Sequence, residues 1–125
     1  RNLHVLLRQH EAALLAIECE GMHAVASLDE AVARSMGREY LEANRQDGED
    51  MMLALARQDT QALVETAHRI KGAARMVGQQ ALAEEAARLE AAARLKQLDR
   101  LGELSQTVQA LMDSIRGETG LWLDE

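Results

Sequence analysis

The stretch Ala67–Gly78 reads AHRIKGAARMVG. It scans as helix, yet it carries a histidine, a lysine three residues on, and a glycine directly after the lysine. A glycine in a helix interior costs about 1 kcal/mol relative to alanine, so something other than helix stability selects it here. Leu63, Ala67, Ile70, Ala74 and Val77 recur at spacings of four, three, four and three. That period marks one face of a helix packed in a bundle. Gly78 sits where a C-terminal cap belongs. The polar turn Gln58–Thr60 offers Asp59 or Thr60 as N-cap.

The same period extends in both directions. Upstream, a helix is expected from Asn2 to about Cys19, with Leu3, Leu7, Leu14 and Ile17 on one stripe and Gly21 as its stop. A second starts near Ser27 or Asp29 and runs towards Arg57, carrying Val32, Met36 and Tyr40, with Gly37 and Gly48 interrupting its pattern. Downstream, Leu82, Ala86, Leu89 and Ala93 mark a helix from Gln80 to Lys96. Leu101, Leu104, Val108, Leu111 and Ile115 mark another from Asp99 to Arg116, with Gly117 as its stop and GETGLWLDE as a frayed tail.

Short connections favour antiparallel neighbours. The expected fold is all-α: an antiparallel up-down-up-down four-helix bundle with an additional N-terminal helix across one end. One domain is expected over 1–125, with a capping helix and linker to about 26, the bundle over 27–116 and the tail over 117–125. Composition agrees. The chain is 47% hydrophobic but has only Tyr40 and Trp122 as aromatics, and it has neither proline nor phenylalanine. A sheet fold would draw on β-branched and aromatic runs that are missing.

A net charge of −7 argues against a nucleic-acid partner, because phosphate backbones need a basic face. A single cysteine, Cys19, excludes an internal disulfide and fits a reducing compartment. The apolar runs are too short to span a bilayer and no signal-peptide pattern opens the chain. No direct membrane contact and a cytoplasmic location are therefore expected.

On a helical wheel centred on the core stripe, His68 falls about 140° away, Lys71 about 80° and Arg75 about 120°. Gln61 and Val64 precede His68 in the same sector, and Gly72 lies near its outer edge. An exposed neutral imidazole offers a free nitrogen lone pair for nucleophilic attack near neutral pH. Lys71 and Arg75 are placed to neutralise charge on a phosphoryl group carried by His68, and Gly72 removes the side chain that would obstruct a partner. The bland alternative is a solvated surface histidine, and spacing alone does not name phosphoryl transfer.

The string from His68 to Gly78 resembles the signature of histidine phosphotransfer (HPt) domains, H-x-x-K-G-[AS]-[AS]-x-x-x-G, at every fixed position. The likeness extends over roughly Tyr40 to Ile115, with Tyr40 where many relatives carry phenylalanine. The resemblance implies that His68 is the phosphorylated residue, Lys71 the cation beside the phosphoryl group and Gly72 the small residue that admits the partner. The wheel adds Arg75 as a second cation, and Gln61 and Val64 to the docking strip. The resemblance further implies response-regulator receiver domains as partners, which supply the acidic cluster and Mg²⁺, so that this chain needs no cofactor or metal of its own. A C-terminal module of a bacterial hybrid sensor kinase, itself an inner-membrane protein, is the implied setting. A free-standing carrier and a chemotaxis-type kinase domain are the variants.

Other candidates carry less. Cys19 and His23 have a spacing compatible with two metal ligands but lack further partners, and His4 and His10 read as surface or end-of-core residues. Met51, Met52, Leu53 and Leu55 read as core filler, and Glu84 with Glu85 as a solvated face. Glu65 and His68 have the Glu-x-x-His spacing of di-metal bundles, but no second pair exists. A helical interaction module that never carries phosphate is the alternative function.

Overall fold

The computed structural model describes residues 30–124. They form four helices: α1, Glu30–Ala56; α2, Thr60–Met76; α3, Gln80–Arg94; and α4, Leu98–Asp124. Among the described residues there is no strand. The connections 57–59, 77–79 and 95–97 leave room only for reversal, so successive helices run antiparallel. Contacts join α1 to α2, α2 to α3, α3 to α4 and α4 back to α1, closing an up-down-up-down bundle. The additional N-terminal helix, with His4, His10, Cys19 and His23, falls outside the described residues.

All three turns use one device. In each, the second residue after the helix adopts positive φ: Gln58 at 54°, Gly78 at 75° and Lys96 at 55°. The amide that follows reaches back to the third-last helical carbonyl, as in Asp59 N–H to Ala54 O (2.9 Å), Gln79 N–H to Ala74 O (2.8 Å) and Gln97 N–H to Ala92 O (2.9 Å). The preceding amide closes a tighter ring, as Gly78 N–H does to Arg75 O at 3.2 Å. This is the Schellman arrangement, which satisfies carbonyls that a helix end otherwise leaves bare. It ends α3 at Arg94, two residues short of the expected Lys96. Asp59 is the N-cap of α2, its Oδ1 accepting from Ala62 N–H at 3.0 Å.

The core holds Met51, Leu63, Ile70, Leu82, Leu89, Val108 and Met112, each at most 2% exposed. Ala67, Ala74, Ala86, Ala92 and Ala93 are as deeply buried, which lets α2 and α3 pack closely. Met52 and Leu53, expected as core filler, are 37% and 48% exposed. Consecutive helical residues diverge by about 100°, so the run around Met51 cannot face one core. Val32 and Met36 are likewise 40% exposed.

The two interior glycines of α1 do not break it. Gly48 is buried, and a β-carbon there would lie 3.0 Å from Gln109 Oε1, so a small residue suits the close approach of α1 to α4. Tyr40 is half-buried, and burial pushes its hydroxyl up, with the Asn44 side chain opposing the shift. Among the described residues Asn44 Oδ1, Ser105 Oγ and Gln109 Oε1 have no hydrogen-bond partner.

The expected stop at Gly117 is corrected. α4 continues through Gly117 and Gly120 to Asp124, so residues 117–124 are helix rather than tail. At 27 residues, α1 and α4 are both longer than α2 and α3, at 17 and 15. Their extra turns support each other. Thr119 is 6% exposed, and Arg34 Nη1 donates to the Leu123 carbonyl at 2.6 Å, filling a position that a helix C-terminus leaves open.

The turn geometry sets a test. Replacing Lys96 by glycine should raise the stability of the fold by about 1 kcal/mol, because a left-handed backbone penalises any β-carbon. Gly78→Ala should lower it by a similar amount. Urea unfolding midpoints check both, and a loss of stability in Lys96→Gly would contradict the assigned turn.

Candidate functional site

His68 lies in the middle of α2 and its side chain is 65% exposed. The buried residues of α2 are Leu63, Val64, Thr66, Ala67, Ile70 and Ala74. On the wheel this arc spans about 160°, reaching from Thr66 to Val64, because α2 packs against both α1 and α3. His68 stands just beyond its α3 edge. Lys71 sits on that edge, with its side chain 18% exposed.

What the edge packs against is Glu90 of α3. Its side chain is 7% exposed, and its two oxygens serve three donors. Lys71 Nζ lies 2.7 Å from Oε1. His68 Nδ1 lies 3.1 Å from Oε2, and Arg94 Nη2 lies 2.7 Å from the same atom. Burial pushes the Glu90 carboxyl up, but hydrogen bonds from Lys71, Arg94 and His68, with the charge of Lys71, outweigh it and hold the group down at about 2. Glu90 is therefore a carboxylate at any physiological pH.

An ionised carboxylate only accepts hydrogen bonds. Its contact with the imidazole thus requires a proton on Nδ1, which leaves the lone pair of a neutral ring on Nε2. The contact fixes the tautomer and leaves Nε2 with the lone pair on a ring that is 65% exposed. No described side chain competes for that atom.

The remaining candidates divide. Gly72 is exposed, and a β-carbon built on it would meet nothing within 4 Å among the described residues. Neither packing nor backbone conformation demands a glycine there. The same holds at Gly102 and Gly117, but only Gly72 lies one turn from His68. Gln61 is exposed and donates to Glu65 Oε2 at 3.1 Å. This places Glu65 on the surface, away from any inward metal pair. Arg75 is exposed and makes no ion pair among the described residues. Val64 departs from expectation: it is 6% exposed and belongs to the core, because the buried arc is wider on the α3 side than a single stripe suggests.

Arg69, adjacent to His68 in sequence, turns the other way. It bridges to α1 through Asp47 Oδ1 at 3.2 Å and Asp50 Oδ2 at 3.1 Å. Burial raises the Asp47 carboxyl, with Arg69 opposing the shift. The contacts of α2 thus lock it to both neighbours while leaving His68 facing out.

Sequence reasoning missed Glu90 and Arg94. A signal was present, since Glu90 follows Leu89 as Lys71 follows Ile70, giving both the same offset of about 80° from their core stripes. Opposite charges at matching offsets on antiparallel neighbours meet across the seam. Among the described residues no group of three or more His, Cys, Asp or Glu is arranged to hold a metal ion, and no helix is long and apolar enough to cross a membrane.

Residues 35–118 match the family model described as Hpt domain. No curated protein and no solved structure matches the chain.

The shared carboxylate has a measurable consequence. A carboxyl held lower in the folded than in the unfolded chain stabilises the fold above its ordinary value, and that contribution drains away as pH falls through the folded value. For Glu90 the window runs from 4.5 down to about 2. Between those limits the unfolding midpoint of the unchanged chain should fall more steeply than that of Glu90→Gln. Parallel acid profiles would show that the carboxylate contributes nothing.

Proposed function

The chain belongs to the Hpt-domain family, and from that premise we propose that His68 is a phosphocarrier in two-component signalling, exchanging a phosphoryl group with receiver-domain aspartates. The observation that carries this reading is the Nδ1 contact with Glu90, which leaves Nε2 free on a ring 65% exposed. In the forward step the Nε2 lone pair attacks the phosphorus of a receiver aspartyl phosphate. The O–P bond breaks, its electron pair returns to the carboxylate, and an N–P bond forms while Nδ1 keeps its proton. The reverse step delivers the group to a second aspartate.

Such a transfer rests mainly on positioning and charge neutralisation. Lys71 and Arg75 supply cations on α2, and the receiver brings Mg²⁺ and its acidic cluster. Gln61 and Gly72 belong to the docking face. Val64 supports it from beneath. The setting we propose is a relay module of a bacterial hybrid sensor kinase, on the cytoplasmic side of its membrane. An interaction module that never carries phosphate is less favoured, because it would have no use for an exposed, tautomer-locked histidine.

Incubation with phosphorylated receivers tests the reading. The chain should acquire an acid-labile, base-stable label, and His68→Gln should lose it entirely while keeping its thermal stability and receiver affinity. Gly72→Gln should do the reverse: it should favour the helix by up to about 1 kcal/mol yet slow transfer to an intact His68. Label on His68→Gln would sink the assignment to this residue, and normal transfer in Gly72→Gln would remove the access role of the glycine.

A further inference from the structure

The contact between Glu90 and His68 outlasts the attack, and that persistence bears on how the group leaves again. When the N–P bond breaks, its electron pair returns to Nε2. With Nδ1 still protonated, the departing group is neutral imidazole. With Nδ1 deprotonated, it is the imidazolate anion, a far poorer leaving group. A carrier needs the first, and attack by Nε2 with Nδ1 protonated leaves the ring formally cationic, so the Nδ1 proton must be held if it is to stay.

We propose that Glu90 is a positioning residue that holds the proton on Nδ1 of phosphorylated His68, so that the phosphoryl group departs from neutral imidazole across the neutral pH range. This inference rests on the phosphocarrier reading. It commits to a role for the negative charge of Glu90, beyond its shape.

The geometry supports it. The Glu90 oxygen nearest the ring is 3.1 Å from Nδ1, on the side of the imidazole away from Nε2. The carboxylate is 7% exposed, so little water competes for the oxygen that the ring meets. An ionised carboxylate can only accept, so the contact persists only while Nδ1 carries its proton. The other charged groups are accounted for. Lys71 and Arg94 are both engaged with Glu90 and lower its field without cancelling its contact. On α2, Glu65 and Arg75 lie one and two turns from His68 on the exposed side. From α1, Asp47 and Asp50 are engaged by Arg69, which faces the opposite flank of α2.

Lys71 and Arg94 have a second part in this arrangement. Each approaches Glu90 through one nitrogen, which leaves further N–H donors for a phosphoryl oxygen. Glu90 therefore gathers two cations at the α2–α3 seam beside His68 while holding the proton on Nδ1.

The test uses the full chain, charged with phosphoryl from a phosphorylated receiver that is then removed. Loss of label is followed between about pH 5 and 8, where imidazole titrates. For the unchanged chain the midpoint of the loss profile should lie about one pH unit above that of Glu90→Gln. On the alkaline shoulder the variant should hold its label about tenfold longer. Coincident profiles in two folded proteins would overturn the inference while leaving the carrier reading intact.

Should Glu90→Gln fail to fold, the unchanged phosphoprotein is compared with itself in concentrated urea. Its folded midpoint should lie higher, and equality would overturn the inference equally. No uptake of label by the unchanged chain would overturn the carrier reading and this inference with it.

Discussion

One carboxylate organises the α2–α3 seam. Glu90 is nearly buried, and such a charge is tolerated only with close partners. It has three, drawn from both helices: His68 and Lys71 from α2, and Arg94 from its own α3. Any of them alone would compensate the charge poorly. Together they pin the rotation of α2 against α3 to within hydrogen-bonding tolerance, because shifting either helix by one residue would swing its donor or acceptor by about 100°. The buried alanines make the close approach possible and the carboxylate makes it specific.

From that constraint the exposure of His68 follows. Lys71 sits on the edge of the buried arc, and the imidazole sits one step further out with one nitrogen held and the other free. Arg69 ties the opposite flank of α2 to α1 through Asp47 and Asp50. The histidine is therefore carried on a helix fixed from both sides. Rigid presentation of this kind lowers the entropy a partner must remove when it docks. The open surface at Gly72 completes the arrangement, since nothing among the described residues requires a glycine there.

The bundle was legible in the sequence because helical period and short polar turns are local signals. His68, Lys71 and Gly72 were legible through a motif within one helix. The rest was hidden where the cause was not local. Val64 looked exposed because a wheel centred on one stripe takes no account of a second neighbour. Gly117 looked like a stop because a helix end is read from its own residues, whereas α4 is carried on by Thr119 and by Arg34 from the far end of the chain. Gln58 and Lys96 gave no sign of left-handed backbone, since only Gly78 advertises that conformation by its residue type. Glu90 was overlooked because its meaning lies in which residues face it across the seam.

Glu90 also bears on why a carrier site would include a negative charge beside a group that accepts an anion. On the proposed carrier reading, Lys71 and Arg94 without it would be two uncompensated cations, well suited to hold a phosphoryl group and ill suited to release it. Stabilising the bound state as strongly as the transition state gives no gain in rate, and for a relay it would strand the group midway. On that reading, a carboxylate shared by both cations would weaken their hold on the phosphoryl oxygens and repel the accumulated charge. It leaves their N–H donors in place for the moment of transfer. The same carboxylate accepts from Nδ1, whose proton would make imidazole a good leaving group. Both effects would lower the cost of departure, so on the proposed reading the residue that fixes the two helices in register also keeps the bound group transferable.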